Sequence, residues 1–368
     1  PGATVTYRGG SVLGSLEATA GQLLTLGPAD AAQGSVLVRD GHGVLALTVR
    51  TVSNLTLGGN WKVKVNGGVP LDAQTGLVAA PVFGYFAGSS GGWWYLTFLT
   101  YDDAVGFTEP TYVEGLGGGN ASVARISGAV VTLTADAHVG ALDLRYVSGA
   151  GGVSIASGAT LTVGNGAGTI APILMNCHNK NGYQSIIGTG AVDFGAAEGL
   201  VACSRNYMLY YEYLAAKINC PIRGTGGVTF AGVAEHTGHA DLELGTANSY
   251  TGGTWIEHLC VKPMANGAFS SGAVTVDGNM STGGGIWIPS TSQMTTLPNA
   301  LTLSGNGRFT DLGTGKNLFE TYGALRSDRT VDVTGAVTLP ADARISAFNG
   351  ATRLTLSGGM SGAGKLIV

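Results

Sequence analysis

Several short stretches of this 368-residue chain bring together residue types that do chemistry elsewhere. Asp102 and Asp103, with Glu109, offer carboxylate oxygens of the kind that hold a hard cation. A polysaccharide lyase built on such acids also needs a cationic base close by, and the nearest basic residue is Arg125. His236 and His239, beside Glu235 and Asp241, spell HxxH. That spacing shares a face only on a helix, and the glycine-flanked stretch reads as loop and strand. Gly88 to Gly92 matches GxSxG, but Trp93 onward reads as another strand, whereas a nucleophile elbow needs a helix after the serine. Gly315 and Lys316 lack the upstream glycine and the Ser or Thr of a phosphate loop. Asn54, Asn120 and Asn279 sit in N-x-S/T sequons, which a Ser/Thr-rich chain contains by chance. These patterns assign no catalytic residue, metal or cofactor.

Two compositional clusters remain. Ten of the 28 aromatic residues fall between Phe83 and Tyr112, among them Trp93, Trp94, Tyr95, Phe98 and Tyr101. Three roles suit them: an assembly interface, a carbohydrate platform, or a hydrophobic cap over the end of a repeat domain. Cys177, Cys203, Cys220 and Cys260 lack CxxC spacing. Their clustering makes them candidates for a local disulfide staple in an oxidising compartment, or else small buried apolar side chains.

The elements that must carry these residues are short strands. Val130–Thr134, Ala141–Leu144, Val153–Ile155 and Thr160–Val163 alternate with period two and are separated by Gly, Ser and Asn. Such strands are too short for stable hairpins, but stacked in parallel they bury a continuous Val/Leu/Ile column. The 62 glycines and the low charged fraction of 11% fit that design, and 44% apolar content argues against disorder. Only Tyr207 to Ile218 offers a helical alternative. A net charge of −4 with 19 scattered Lys and Arg argues against nucleic acid as a partner. Every apolar run is interrupted before the ~20 residues of a spanning helix, and the strands are short for a membrane barrel.

Ala247 to Thr254, reading Ala-Asn-Ser-Tyr-Thr-Gly-Gly-Thr, is followed by Gly272 to Val276, and Leu354 to Leu366 adds Leu-Thr-Leu-Ser-Gly and Gly-x-Gly-x-Leu elements. These resemble the autotransporter-associated β-strand repeat. The resemblance covers about 225–368 and 121–170, is weak over 1–115 and is absent across 171–222. It implies a right-handed parallel β-helix in a secreted or bacterial cell-surface protein, without family catalytic residues. Trp255, His258 and Cys260 depart from the small polar residues usual there.

The expected organisation is an aromatic-rich N-terminal β region over 1–120, a cap or early coils. β-Helix coils follow over 121–170, a Cys/Tyr-rich insertion over 171–222 and further coils over 223–368. At 20–25 residues per coil the rod would measure on the order of 70–85 Å. The expected function is that of a non-enzymatic extracellular scaffold that self-associates as a homo-oligomer or head-to-tail polymer, with Leu366, Ile367 and Val368 as the stacking strand. The alternatives are a carbohydrate-binding adhesin on a surface polysaccharide and a β-helix polysaccharide lyase or hydrolase.

Overall fold

Residues with side chains that alternate apolar and polar over four or five positions can bury one face of a strand and solvate the other. The computed structural model of the chain describes residues 4–15, 22–49, 57–59, 61–87, 94–145, 151–177, 184–205, 216–233, 241–278, 284–311, 319–348 and 352–368. It is all-β; among those residues there is no helix. Twenty-one strands between Val113 and Ile367 join into one sheet, and every pairing in it is parallel, a pattern consistent with a β-helix or solenoid.

The strands stack in columns. In the first, Val123–Ser127, Ala141–Arg145, Ile170–Cys177, Glu198–Arg205, Val228–Val233, Thr254–Glu257, Val274–Gly278 and Leu301–Gly305 lie one on the next. A second runs from Val130–Leu133 through Gly151–Ile155, Gln184–Gly188, Ala216–Asn219, Asp241–Leu244 and Cys260–Pro263 to Gly285–Ile288. A third, shorter column begins with Ala137–Val139, Thr160–Val163, Ala191–Asp193 and Ile222–Arg223. The segment 171–222, expected as an insertion, thus supplies rungs to all three columns. Of the helical alternative, 207–215 lies outside the described residues and Ala216–Asn219 is strand.

Inward residues form one apolar core along the stack. Ile173, Val201, Phe230, Ile256, Val276 and Leu303 occupy successive first-column rungs, each with essentially no exposure. Glycine permits the tightest approach between turns: a Cβ on Gly335 would sit 1.9 Å from the Asn299 carbonyl oxygen, and one on Gly358 2.2 Å from that of Gly335. The Asn248–Thr254 signature has a structural job. Asn248 Oδ1 accepts from the Ile222 amide of one turn, while its Nδ2 donates to the Ala268 carbonyl of another. Tyr250 is fully buried and its hydroxyl meets Thr254 Oγ1 at 2.6 Å.

The first 112 residues do not extend the stack; they lie beside it. Gly10–Ser15, Val44–Val49 and Val82–Ala87 pair in parallel, and Trp94–Phe98 closes that sheet antiparallel to Val82–Ala87. One face packs on Trp61, Val63 and Val65 in a core of its own. The opposite face, with Val44, Ala46, Phe83, Tyr85, Leu96 and Phe98, packs against outward residues of the first column: Leu174, Leu200, Ala202, Ala231 and Val233. Because this region adds no rungs, the column from Val113 to Met360 spans eleven strands, about 48 Å at ~4.8 Å per step, shorter than the expected rod.

No disulfide staple is seen among the described residues. Cys203, Cys220 and Cys260 are buried thiols, and the Cys177 side chain lies outside the described residues. Cys203 stands in the first column, Cys260 in the second and Cys220 at the corner after it, where burial pushes its thiol up to about 12. They act as small core side chains instead.

Substituting Phe230→Ala should destabilise the chain by about 3–5 kcal/mol through lost burial and a cavity, whereas the outward Thr302→Ala should change stability by less than about 0.5 kcal/mol. Urea unfolding of the two variants measures the contrast.

Candidate functional site

The seam between the N-terminal sheet and the first column gathers the polar groups that the core excludes. A column residue pointing outward meets either solvent or that sheet, so the chemistry of the outward rows changes where the cover begins and ends. Leu174, Ala202 and Ala231 are stacked in register and covered; Arg125 and Asp143 precede them in the same row, and Glu257 and Asp277 follow.

At the first margin, the fully buried Asp143 pairs with Arg125 Nε at 2.9 Å and Arg145 Nη2 at 3.1 Å, and accepts from Asn176 Nδ2 at 2.9 Å. Arg125 stacks on Tyr112, 3.2 Å from its ring centroid, and Arg145 on Tyr95 at 4.1 Å. Asn176 behaves like a strand partner for Leu96: its Oδ1 accepts from the Leu96 amide at 2.7 Å and its Nδ2 donates to the Leu96 carbonyl at 3.0 Å.

Further along, Glu198 receives both guanidinium nitrogens of Arg39 at 2.8 Å and the Thr229 hydroxyl at 2.6 Å, with His42 Nδ1 at 3.1 Å. Burial alone would raise the Glu198 carboxyl. The hydrogen bonds from His42 and Arg39, the Arg39 charge and the Thr229 hydroxyl outweigh it and hold the group well below the usual carboxylate range. His42 also stacks on Trp255, centroids 3.5 Å apart. Trp255 in turn lies over Gly227, where a Cβ would come within 2.2 Å of the indole. Beside this cluster runs a cleft. One chamber of about 350 Å³ is lined by Asp72, Gln74, Pro81, Phe83, Asn165 and Leu200 among others. It shares Ala79 to Pro81 and Gly168 to Ile170 with a more open chamber of about 490 Å³ that reaches Arg39, His42 and Trp255.

The aromatic candidates are placed differently from one another. Phe98 is buried in the seam, Tyr95 lies half-buried under Arg145, and the Tyr101 hydroxyl bridges the amide and carbonyl of Val65 at 2.9 and 3.0 Å. Trp94 begins the closing strand, its side chain outside the described residues, as is all of Trp93. Asp102 caps its own turn, accepting from the Ala104 and Val105 amides. Asp103 and Glu109 are exposed. His236, His239, the GxSxG segment, Lys316, Asn54 and Asn279 lie outside the described residues; Asn120 is exposed. No group of His, Cys, Asp and Glu among the described residues is arranged to hold a metal ion.

Arg39, His42 and Glu198 escape sequence reading because more than 150 positions separate Glu198 from the other two and no local spacing announces the contact. Trp255 and His258 did carry a signal, as large residues where the repeat has small ones. The cluster is built to hold: a deprotonated carboxylate is locked between a bidentate arginine, an imidazole and a hydroxyl. Comparison with known proteins finds no matching family, no matching curated protein and no matching solved structure.

Glu198→Gln should cost about 2 kcal/mol at neutral pH by loosening the Arg39 clamp. Since the folded carboxyl titrates below its unfolded value, the stabilisation is present above about pH 4.5 and is lost as pH falls. Denaturation midpoints of wild type and variant should therefore converge toward pH 3.

Proposed function

We propose that this chain is a right-handed parallel β-helix serving as a non-enzymatic extracellular scaffold, of the kind found in autotransporter-type surface proteins, and that it works by extension and self-association. The observation that carries this reading is the ladder itself. Strands Val130–Leu133 and Ala137–Val139 begin the second and third columns and each pair along one edge only among the described residues, the N-terminal region lying beside the stack instead of on this end. An edge of unpaired N–H and C=O groups is a template for another parallel strand. An apolar side chain stands on that edge, Val130 at 40% exposure. Leu366–Ile367, the expected stacking strand, pairs in register with Ala343–Arg344. The acids Glu114 and Asp136 are exposed at the same end as Val130.

The engagement of seam groups with one another also supports a structural role, since Asn176, braced by Asp143, and Glu198 use their hydrogen bonds to hold the two layers together. A second reading, recognition of a saccharide, rests on the cleft of about 350 Å³, in which Phe83 and Pro81 offer apolar faces next to Gln74 and Asp72.

Electron microscopy and sedimentation across a concentration series test the leading reading. Rods in multiples of the ~48 Å stack are expected, and Val130→Lys should abolish them by placing an unpaired charge in the joint. Single particles at every concentration would overturn it, and glycan binding lost in Phe83→Ala would favour the second reading.

A further inference from the structure

The seam is asymmetric in its closing contacts. At the far margin the outward row passes from the covered Ala231 to Glu257 and then Asp277, two carboxylates in register on consecutive rungs. Parallel rungs set their backbones about 4.8 Å apart, so the side chains share one patch. The N-terminal region reaches this patch with Arg8 and Gly9. Arg8 Nε meets Asp277 Oδ2 at 3.0 Å. Gly9, at φ +59°, comes so close that a Cβ there would lie 3.4 Å from the His258 ring and 3.7 Å from Glu257 Oε2. Glu257 is 6% exposed, and its Oε2 has no hydrogen-bond partner. The Arg8–Gly9 strap is braced from behind, because Gly43 packs against the Arg8 backbone with a Cβ position only 2.7 Å from its Cα. That ties it to the Arg39–His42 side of the seam. The approach is possible because only His258 and Leu259 join this first-column rung to its second-column strand, His258 turning the corner at φ +55°.

We propose that the contact of Arg8 and Gly9 with Glu257 and Asp277 is a proton-operated latch, closing the N-terminal region onto the stack in mildly acidic surroundings and loosening it toward neutrality. A covered, unbonded carboxyl oxygen is tolerable when the group is protonated and costly when it is charged. The groups that face Glu257 are Asp277 and His258 from the stack, and Arg8, Arg39 and Asp40 from the N-terminal region. Burial first, then the Asp277 charge, push the Glu257 carboxyl up to about 7, with Arg8 and Arg39 opposing and Asp40 adding a little. Burial lowers the His258 imidazole, so no second cation arises there to neutralise the pair.

The sign follows from linkage. The closed state holds a proton that the open state releases at the ordinary value of 4.5, so closure is strongest below that pH and weakens until about 7, where it levels off. The limiting slope is about tenfold in the closing equilibrium per pH unit, which gives about tenfold between pH 6 and pH 8 for a group titrating near 7.

Hydroxyl-radical footprinting of the full chain from pH 5 to pH 8 reads the latch directly, with His258 beneath Gly9 and Trp255 beneath the neighbouring His42 as reporters and the core residue Phe230 as internal reference. Relative oxidation of the reporters should rise about tenfold between pH 6 and 8. Glu257→Gln should remain closed and flat across the range. Asp277→Asn, which removes the like charge, should move the midpoint to lower pH and serves if the glutamine variant fails to fold. A wild-type profile without pH dependence, or a variant profile identical to wild type, overturns the proposal. Neither outcome touches the end-to-end association.

Discussion

The backbone hydrogen bond between one turn of chain and the next is the constraint on which the rest of this molecule depends. A parallel ladder satisfies N–H and C=O groups only if each strand arrives at its neighbour's spacing, direction and register. Side chains directly above one another then share the same environment for the length of the column. Ile173, Val201, Phe230 and Ile256 must all be apolar because they share one interior row. Corners must admit the next turn at van der Waals distance, so Gly335 and Gly358 stack where any Cβ would strike a carbonyl.

The same rule explains the seam. Outward rows face water unless something covers them, and here the row changes character within a few rungs, from Asp143 through Leu174, Ala202 and Ala231 to Glu257. Apolar outward residues coincide with the footprint of Phe83, Tyr85, Leu96 and Phe98. Charged groups rim that footprint: Asp143 pairs with Arg125 and Arg145 within the stack, while Glu198 pairs with Arg39 and Asp277 with Arg8 across the joint. A dry centre with a polar rim is the anatomy of a protein interface, formed here within a single chain. The margins differ in kind. Asp143 and Glu198 are saturated with donors, whereas the buried Glu257 is not, and that difference makes the Glu257 margin the one that loosens toward neutral pH.

Much of the stack was legible beforehand. Val130 to Thr134 and Thr160 to Val163 alternate with period two between glycines, and both stretches are rungs. The Asn248–Thr254 signature was visible as a pattern, though its work of linking turns through Asn248 was not. Over 171–222 the reading failed because cysteines and tyrosines drew attention from the strand pattern in Ile173, Met175, Val201 and Cys203, which alternate inward like any other rung. Two of these, Met175 and Cys203, lie in register. The aromatic cluster was seen but its direction was not, since period two says which residues share a face and not what that face meets.

The amino-acid sequence by itself therefore determined the strand, the turn and the two-sided pattern, because these depend on neighbours a few positions apart. Tertiary structure alone decided that the first 112 residues lie alongside the stack and not upon its end. It likewise decided that Arg39 finds Glu198, and that Gly9 closes over Glu257. Those contacts join residues some 150 to 250 positions apart, and they exist only because two separately folded surfaces are complementary in shape, apolar area and charge.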